Sequence, residues 1–102
     1  MAAYRPAIPP SVAERIRHLP PDIKRGIKGA IRALAGEPGR GEPLKRELKG
    51  LLKFKVRRFR IVYRVDRAAR TVNILAVGHR RTIYEEAAAT IRASAARFAP
   101  RR

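Results

Sequence analysis

Apolar residues change their spacing twice along the chain, from helical to strand-like and back, which divides it into a helical start, a strand-rich middle and a helical end. Val12, Ile16 and Leu19 recur at i, i+4 and i+7, which puts them on one side of a helix over about Ser11 to Leu19. Ser11 followed three positions later by Glu14 has capping-box spacing, and Pro20-Pro21 ends the helix. Pro21 suits the first turn of a second helix, with Asp22 beside it at the positive end of the helix dipole. Ile23, Ile27, Ile31 and Leu34 draw the apolar stripe of that helix and Gly36 closes it, so the pair reads as a helical hairpin. Gly26 and Gly29 each cost about 1 kcal/mol relative to Ala, which makes the second helix dependent on packing. Ahead of the hairpin, Tyr4 to Ile8 reads as a short strand that Pro6 confines to an edge or a bulge.

Beyond the Gly/Pro-rich connection GEPGRGEP (36–43) and the stretch Leu44 to Gly50, the period falls to two. Leu52, Phe54 and Val56 alternate with Lys53 and Lys55; Phe59, Ile61, Tyr63 and Val65 alternate with Arg60, Val62 and Arg64. With Arg57-Arg58 as the turn, pairing parity sets Lys55 opposite Arg60, Lys53 opposite Val62 and Phe54 opposite Ile61. One face is then buried and the other basic. Asp66 to Arg70 is the next turn, and Thr71 to Gly78 is a third strand, apolar on both faces from Ile74 to Val77 and therefore central. Ile83, Ala87, Ile91 and Ala95 mark a C-terminal helix with Phe98 near its end. Helices, then strands, then a helix, with no βαβ alternation, predict an α+β fold. The expected architecture is a single domain over 1–102, with the helical hairpin packed on a small antiparallel sheet.

Composition narrows the chemistry. A chain of 102 residues that is 45% hydrophobic supports one small core. The absence of Cys excludes disulfides and thiolate-bound zinc, and two isolated histidines, His18 and His79, are too few for a structural metal, so no cofactor is expected. No apolar run approaches about 18 residues, which sets the expectation of a cytoplasmic protein with no membrane contact.

Charge identifies the class of partner. Lys and Arg number 25 against 8 Asp and Glu, a net +17. Residues 45–81 hold 13 of those cations and only Glu47 and Asp66, so +11 falls on the strand-rich segment. That is a patch on a folded element, and it fits a polyanion, nucleic acid first. A solvated sheet face is the ordinary alternative, but a Lys55/Arg60 pair directly opposed is unfavourable unless something such as a bound phosphate compensates it. Gly78-His79-Arg80-Arg81-Thr82-Ile83-Tyr84 then leaves the third strand with two arginines and presents a tyrosine that can stack on a base or staple the last helix to the core.

The runs LKGLLKFKV (48–56), FRIVYRVD (59–66) and VNILAVGHRRTIY (72–84) resemble the RelE toxins of the RelE/ParE superfamily of toxin–antitoxin systems, over about residues 10–90. The resemblance implies a RelE-like fold and a ribosome-dependent endoribonuclease that cuts mRNA in the ribosomal A site of the small subunit. It also implies a cognate antitoxin protein as partner. Carried over by position, Lys53 and Lys55 fall on the paired catalytic lysines, Arg60 on the arginine of the following strand, Arg80 on the arginine after the strand-ending glycine, and Tyr84 on the tyrosine opening the last helix. Phe59 in place of a tyrosine, Arg57 where a turn glycine is common, and YRPAI as the first strand depart from the pattern. Lys49, Arg58, Arg64, Arg81 and His79 are the further RNA-binding candidates, although strand parity groups His79 with Leu75 and Val77 and not necessarily with the basic face.

The chemistry needs a base for the 2′-hydroxyl, an acid for the departing 5′-oxygen and cations for the phosphorane, with no metal. Like charge around Lys55 favours its neutral form, which makes it the expected base, while Arg60 clamps the phosphate and Lys53 stabilises the transition state. Arg80 is the acid or an electrostatic stabiliser, and Tyr84 stacks the base. Two alternatives stand beside this reading: a ParE-like inhibitor of DNA gyrase without nuclease activity, and a non-catalytic nucleic-acid-binding module.

Overall fold

The computed structural model describes residues 4–98, and in it five strands form one sheet with helices on both faces. The elements run β1 (Arg5–Ala7), α1 (Pro10–Arg17), α2 (Pro21–Gly36), β2 (Glu42–Pro43), β3 (Leu52–Val56), β4 (Phe59–Asp66), β5 (Thr71–His79) and α3 (Ile83–Phe98). The spatial order is β1-β5-β4-β3-β2, with β1 parallel to β5 and every other pair antiparallel.

The α+β class holds, with two corrections. The helical pair is not the N-terminal element, since the short strand expected within Tyr4 to Ile8 precedes it and joins the sheet as β1, and the sheet is mixed and not antiparallel throughout. The cause lies at the start of the chain: the Tyr4 amide donates to Ala35 O and the Arg5 amide to Arg70 O, each at 2.9 Å. The first bond ties the chain start to the end of α2 and the second aligns it beside β5, where Pro6 sits on an edge strand as its missing N–H requires. A third correction concerns α1, which begins one residue before Ser11. Pro9 caps it without a side-chain bond and Pro10 occupies its first turn, so the spacing of Ser11 and Glu14 is no capping box. Glu14 instead takes Arg17 at 2.9 Å.

The connection 36–43 is more structured than its glycines and prolines predict. Pro38–Arg40 forms a 3₁₀ turn, and β2 pairs with β3 through Glu42 opposite Lys53 and Pro43 opposite Leu52. Tyr63 fixes the connection, because its hydroxyl donates to Pro38 O at 2.7 Å and accepts from the Gly41 amide at 2.8 Å. A Cβ at position 41 would collide with the Tyr63 hydroxyl and lie 2.7 Å from Lys53 O, so glycine is required by close approach.

The β3–β4 register is the one that parity predicts: Phe54 opposite Ile61, Lys55 opposite Arg60, Lys53 opposite Val62. Arg57 turns the chain in the left-handed region, at φ 55°, where glycine is the usual occupant. Between β4 and β5 the register slips at Val62/Tyr63, so that Val62 faces Ala76 and Tyr63 faces Ile74. The slip leaves Leu75 as an extra residue, and each face of the sheet carries an apolar core. Ile61, Tyr63, Val72, Ile74 and Val77 pack under α1 and α2 with Ile16, Ile27, Ile31 and Leu34. On the opposite face Val62 and Ala76 pack against Leu48, Leu51 and the α3 residues Ile83 and Ala87. The basic face is therefore not bare, because α3 lies across part of it. The side chains of Ala95 and Phe98 lie outside the described residues.

Candidate active site

Alternation along β4 sends Ile61 and Tyr63 to the α1/α2 face and leaves Arg60, Val62 and Arg64 on the other. Pairing carries Lys53 and Lys55 to that same face. Two cross-strand rows result, Lys53–Val62–Ala76 and Lys55–Arg60–Gly78. Val62 and Ala76 are buried beneath α3, so the first row ends in core while the second is cationic.

Tyr84 sits in the first turn of α3, and Lys53 Nζ lies 5.9 Å from its ring centroid, within cation–π range. The ring also forms one wall of an open depression of about 420 Å³ bordered by Glu47, Leu48, Glu85 and Arg92. Tyr84 packs partly buried against the α3 core, as a staple would, and keeps part of its surface toward solvent. Arg60 is held in place by its neighbours, with Nη1 donating to Arg57 O at 2.9 Å and to Phe59 O at 2.8 Å. Among the described residues its Nη2 and Nε have no hydrogen-bond partner, which suits them to an anion.

Arg80 lies where β5 leaves the sheet. Its amide donates to Arg58 O at 2.8 Å, which extends the β4–β5 ladder beside the Arg57-Arg58 turn. His79 pairs with Phe59 and meets its ring edge-on at 5.9 Å, on the α1 side of the sheet and away from the Lys55/Arg60 row. It borders an open cavity of about 510 Å³ with His18, Glu14 and Phe59. The Arg81 amide donates to His79 Nδ1 at 3.3 Å. Lys49, Arg58, Arg64 and Arg81 are exposed; of these, Arg64 shares the face of the lysines.

Two carboxylates that sequence reasoning missed enter this surface. Glu42 on β2 comes within 3.9 Å of Lys55 Nζ, so Lys55 is not surrounded by cations alone. Its contribution was hidden because β2 lies in a stretch whose composition signals a loop. Glu86 on α3 reaches Arg15 on α1 at 2.8 Å, directly over Gly78. The spacing i+2 from Tyr84 was visible, but the contact across the sheet was not. Among the described residues no three His, Asp or Glu side chains gather as a metal site needs.

Burial pushes the Tyr63 hydroxyl up from its usual 10, while the hydrogen bond from the Gly41 amide pulls the other way.

A family profile for the ParE toxin of type II toxin–antitoxin systems, parDE, matches residues 10–84. The chain is 42% identical over 77 residues to toxin RelG of Mycobacterium tuberculosis, an alignment that covers 72% of this chain and 88% of that protein. Its fold is similar to a chain of the toxin–antitoxin complex RelBE2 from the same organism, with TM-score 0.70 and 33% identity over 76% of this chain and 98% of that one. A free-state variant of toxin RelE from E. coli superposes with TM-score 0.71 at 22% identity, covering 87% of this chain and 98% of that one, and so matches in fold. No helix among the described residues is long and apolar enough to cross a membrane. With the profile spanning most of the chain and the curated relative above 40% identity, the chain belongs to the RelE/ParE superfamily of type II toxin–antitoxin toxins.

Proposed function

We propose that this protein is the toxin of a type II pair and acts as a ribosome-dependent mRNA endoribonuclease. The observation that carries the reading is the Lys55–Arg60 row with Lys53 and Tyr84 beside it on one face of the sheet. A plain inhibitor of another enzyme has no need of two opposed cations next to a half-buried aromatic ring. In the proposed reaction Lys55 Nζ takes the proton of a 2′-hydroxyl. The resulting oxyanion attacks the adjacent phosphorus, and the 5′-oxygen departs with a proton, leaving a 2′,3′-cyclic phosphate. Arg60, already oriented by two backbone carbonyls, holds a non-bridging phosphate oxygen. Lys53 adds charge stabilisation to the phosphorane, and Arg80 assists the leaving oxygen as acid or as an electrostatic group. Tyr84 stacks a base at the mouth of its depression and so fixes the angle of attack. Glu42 must give up Lys55 when RNA enters, which its exposed position allows.

The partner that restrains this activity is a cognate antitoxin whose acidic, amphipathic helical segments cover the basic face; the RelBE2 relative was solved as a toxin–antitoxin complex. Gyrase inhibition is the second reading, favoured by the match to the ParE profile. The test uses purified protein on a translated message beside the same message without ribosomes, with primer extension to map cuts, and a supercoiling assay in parallel. Nuclease function requires cuts confined to the translated message and a rate loss of about 100- to 10,000-fold in Lys55→Ala. Inhibition of supercoiling without cuts establishes the gyrase reading instead. Arg80→Ala/Tyr84→Ala, induced in cells, should abolish both growth arrest and cleavage.

A further inference from the structure

We propose that Arg15, on a helix that carries none of the candidate catalytic groups, is a positioning residue for the active site through its ion pair with Glu86. The proposal deepens the nuclease reading and rests on it for its kinetic arm.

The path is short and crosses the edge of the sheet. β1 covers β5 only from Thr71 to Asn73, so among the described residues no strand borders the second half of β5 on that side. α1 and α3 pack on opposite faces, and over this open edge Arg15 Nη2 meets Glu86 Oε1 at 2.8 Å. The other carboxylate oxygen, Oε2, accepts from Thr82 Oγ1 at 3.3 Å, which fixes the start of α3 from within. Glu86 is two residues from Tyr84, and Thr82 is two from Arg80. One carboxylate is therefore tied to the middle of the segment, Arg80 to Tyr84, that presents the arginine and the tyrosine.

Gly78 supplies an independent observation. A Cβ there would lie 2.6 Å from Glu86 Oε2, 3.3 Å from Ile83 Cδ1 and 3.5 Å from Arg15 Nη2. Gly78 also terminates the Lys55–Arg60 row. The side-chain-free end of the row is thus filled by the Arg15–Glu86 pair, which seats α3 at a fixed height over the phosphate-binding cations. α3 also packs through Tyr84, Ala88 and Ile91, which lie partly buried against the Ile83/Ala87 core. Among its described side chains only Ile83 and Ala87 are fully buried, and the helix is rich in alanine.

The test combines cleavage kinetics on translating ribosomes with amide exchange of the isolated protein. The variants are Arg15→Ala, Arg15→Lys, Glu86→Gln, Gly78→Ala and the double Arg15→Ala/Glu86→Gln, with Arg17→Ala as a charge control on the same helix. Positioning predicts a fall of about 10- to 100-fold in the saturating rate for Arg15→Ala, Glu86→Gln and Gly78→Ala, with half-saturating concentration within about twofold of wild type. The double variant is no worse than either single, Arg15→Lys recovers much of the rate, and Arg17→Ala matches wild type. In the absence of RNA, α3 amides near Glu86 exchange faster in Arg15→Ala than in wild type. A raised half-saturating concentration with an intact rate would overturn the proposal, because Arg15 would then contact RNA itself. Unchanged α3 exchange overturns it as well. Should wild type fail to cleave, the nuclease reading falls while the exchange arm still decides whether Arg15 seats α3.

Discussion

Tyr63 carries more of the architecture than its place in an alternating strand indicates. Its ring is wholly buried in the α1/α2 core, yet its hydroxyl reaches through to the Pro38 carbonyl and the Gly41 amide and pins the connection that bears β2. Tyr63→Phe leaves both groups without their partner, at a cost of about 1–3 kcal/mol in urea unfolding at neutral pH. The pH dependence has a definite sign. The folded-state pKa is raised above the unfolded value of 10, so the contribution is fully present below pH 10 and is lost as pH rises through the folded value. Wild type should therefore lose stability above pH 10 more steeply than Tyr63→Phe. Sequence alternation placed Tyr63 on the buried face, but it carried no sign of where the hydroxyl would go, because that partner is 22 residues away in the chain. The Lys55/Arg60 pair was legible for the opposite reason. A two-residue turn leaves a single parity, and every opposed pair in the hairpin follows from it.

Among the elements, the two glycines of α2 offer a controlled comparison. Both lie inside the helix, but a Cβ on Gly26 would stand 3.0 Å from Val56 Cγ1, whereas one on Gly29 meets nothing within 4 Å. Gly29→Ala should gain the ordinary helix-propensity difference of about 0.5–1 kcal/mol, a rise of a few degrees in Tm. Gly26→Ala gains the same propensity and spends it pushing a stiff β-branched side chain of β3, so its Tm falls below that of Gly29→Ala in the same thermal scan. The elements read most securely from sequence were α2, β3 and β4, where a sustained apolar period meets clear breakers at Pro21, Gly36 and Arg57-Arg58. β1 as a parallel partner, and β2 inside a Gly/Pro stretch, depend on bonds to distant parts of the chain. The start of α1 was misread because Ser11 and Glu14 imitate a cap at a position where Pro10 already opens the helix.

For the whole molecule, the net charge of +17 sets two opposed salt dependences. Like charges repel within the folded chain, and salt screens them over a Debye length of about 10 Å at 0.1 M, so unfolding midpoints should rise with NaCl at fixed pH. Binding to RNA releases condensed counterions, so affinity should fall over the same range, with a log–log slope near −0.7 for each phosphate contacted in a single strand. Arg64→Ala removes a cation that shares the lysine face but does not belong to the Lys55–Arg60 row. It should flatten the RNA-binding slope by about 0.7 while leaving the saturating cleavage rate near wild type. Lys55→Ala takes away a similar charge from the same face and should change the slope by a comparable amount, but with the large loss of rate required of a base. Equal slopes with unequal rates would separate the field of the molecule from the chemistry of one row. If both variants changed binding alone and neither changed a rate, the basic face would be a docking surface, and the protein a binding module built on a toxin fold.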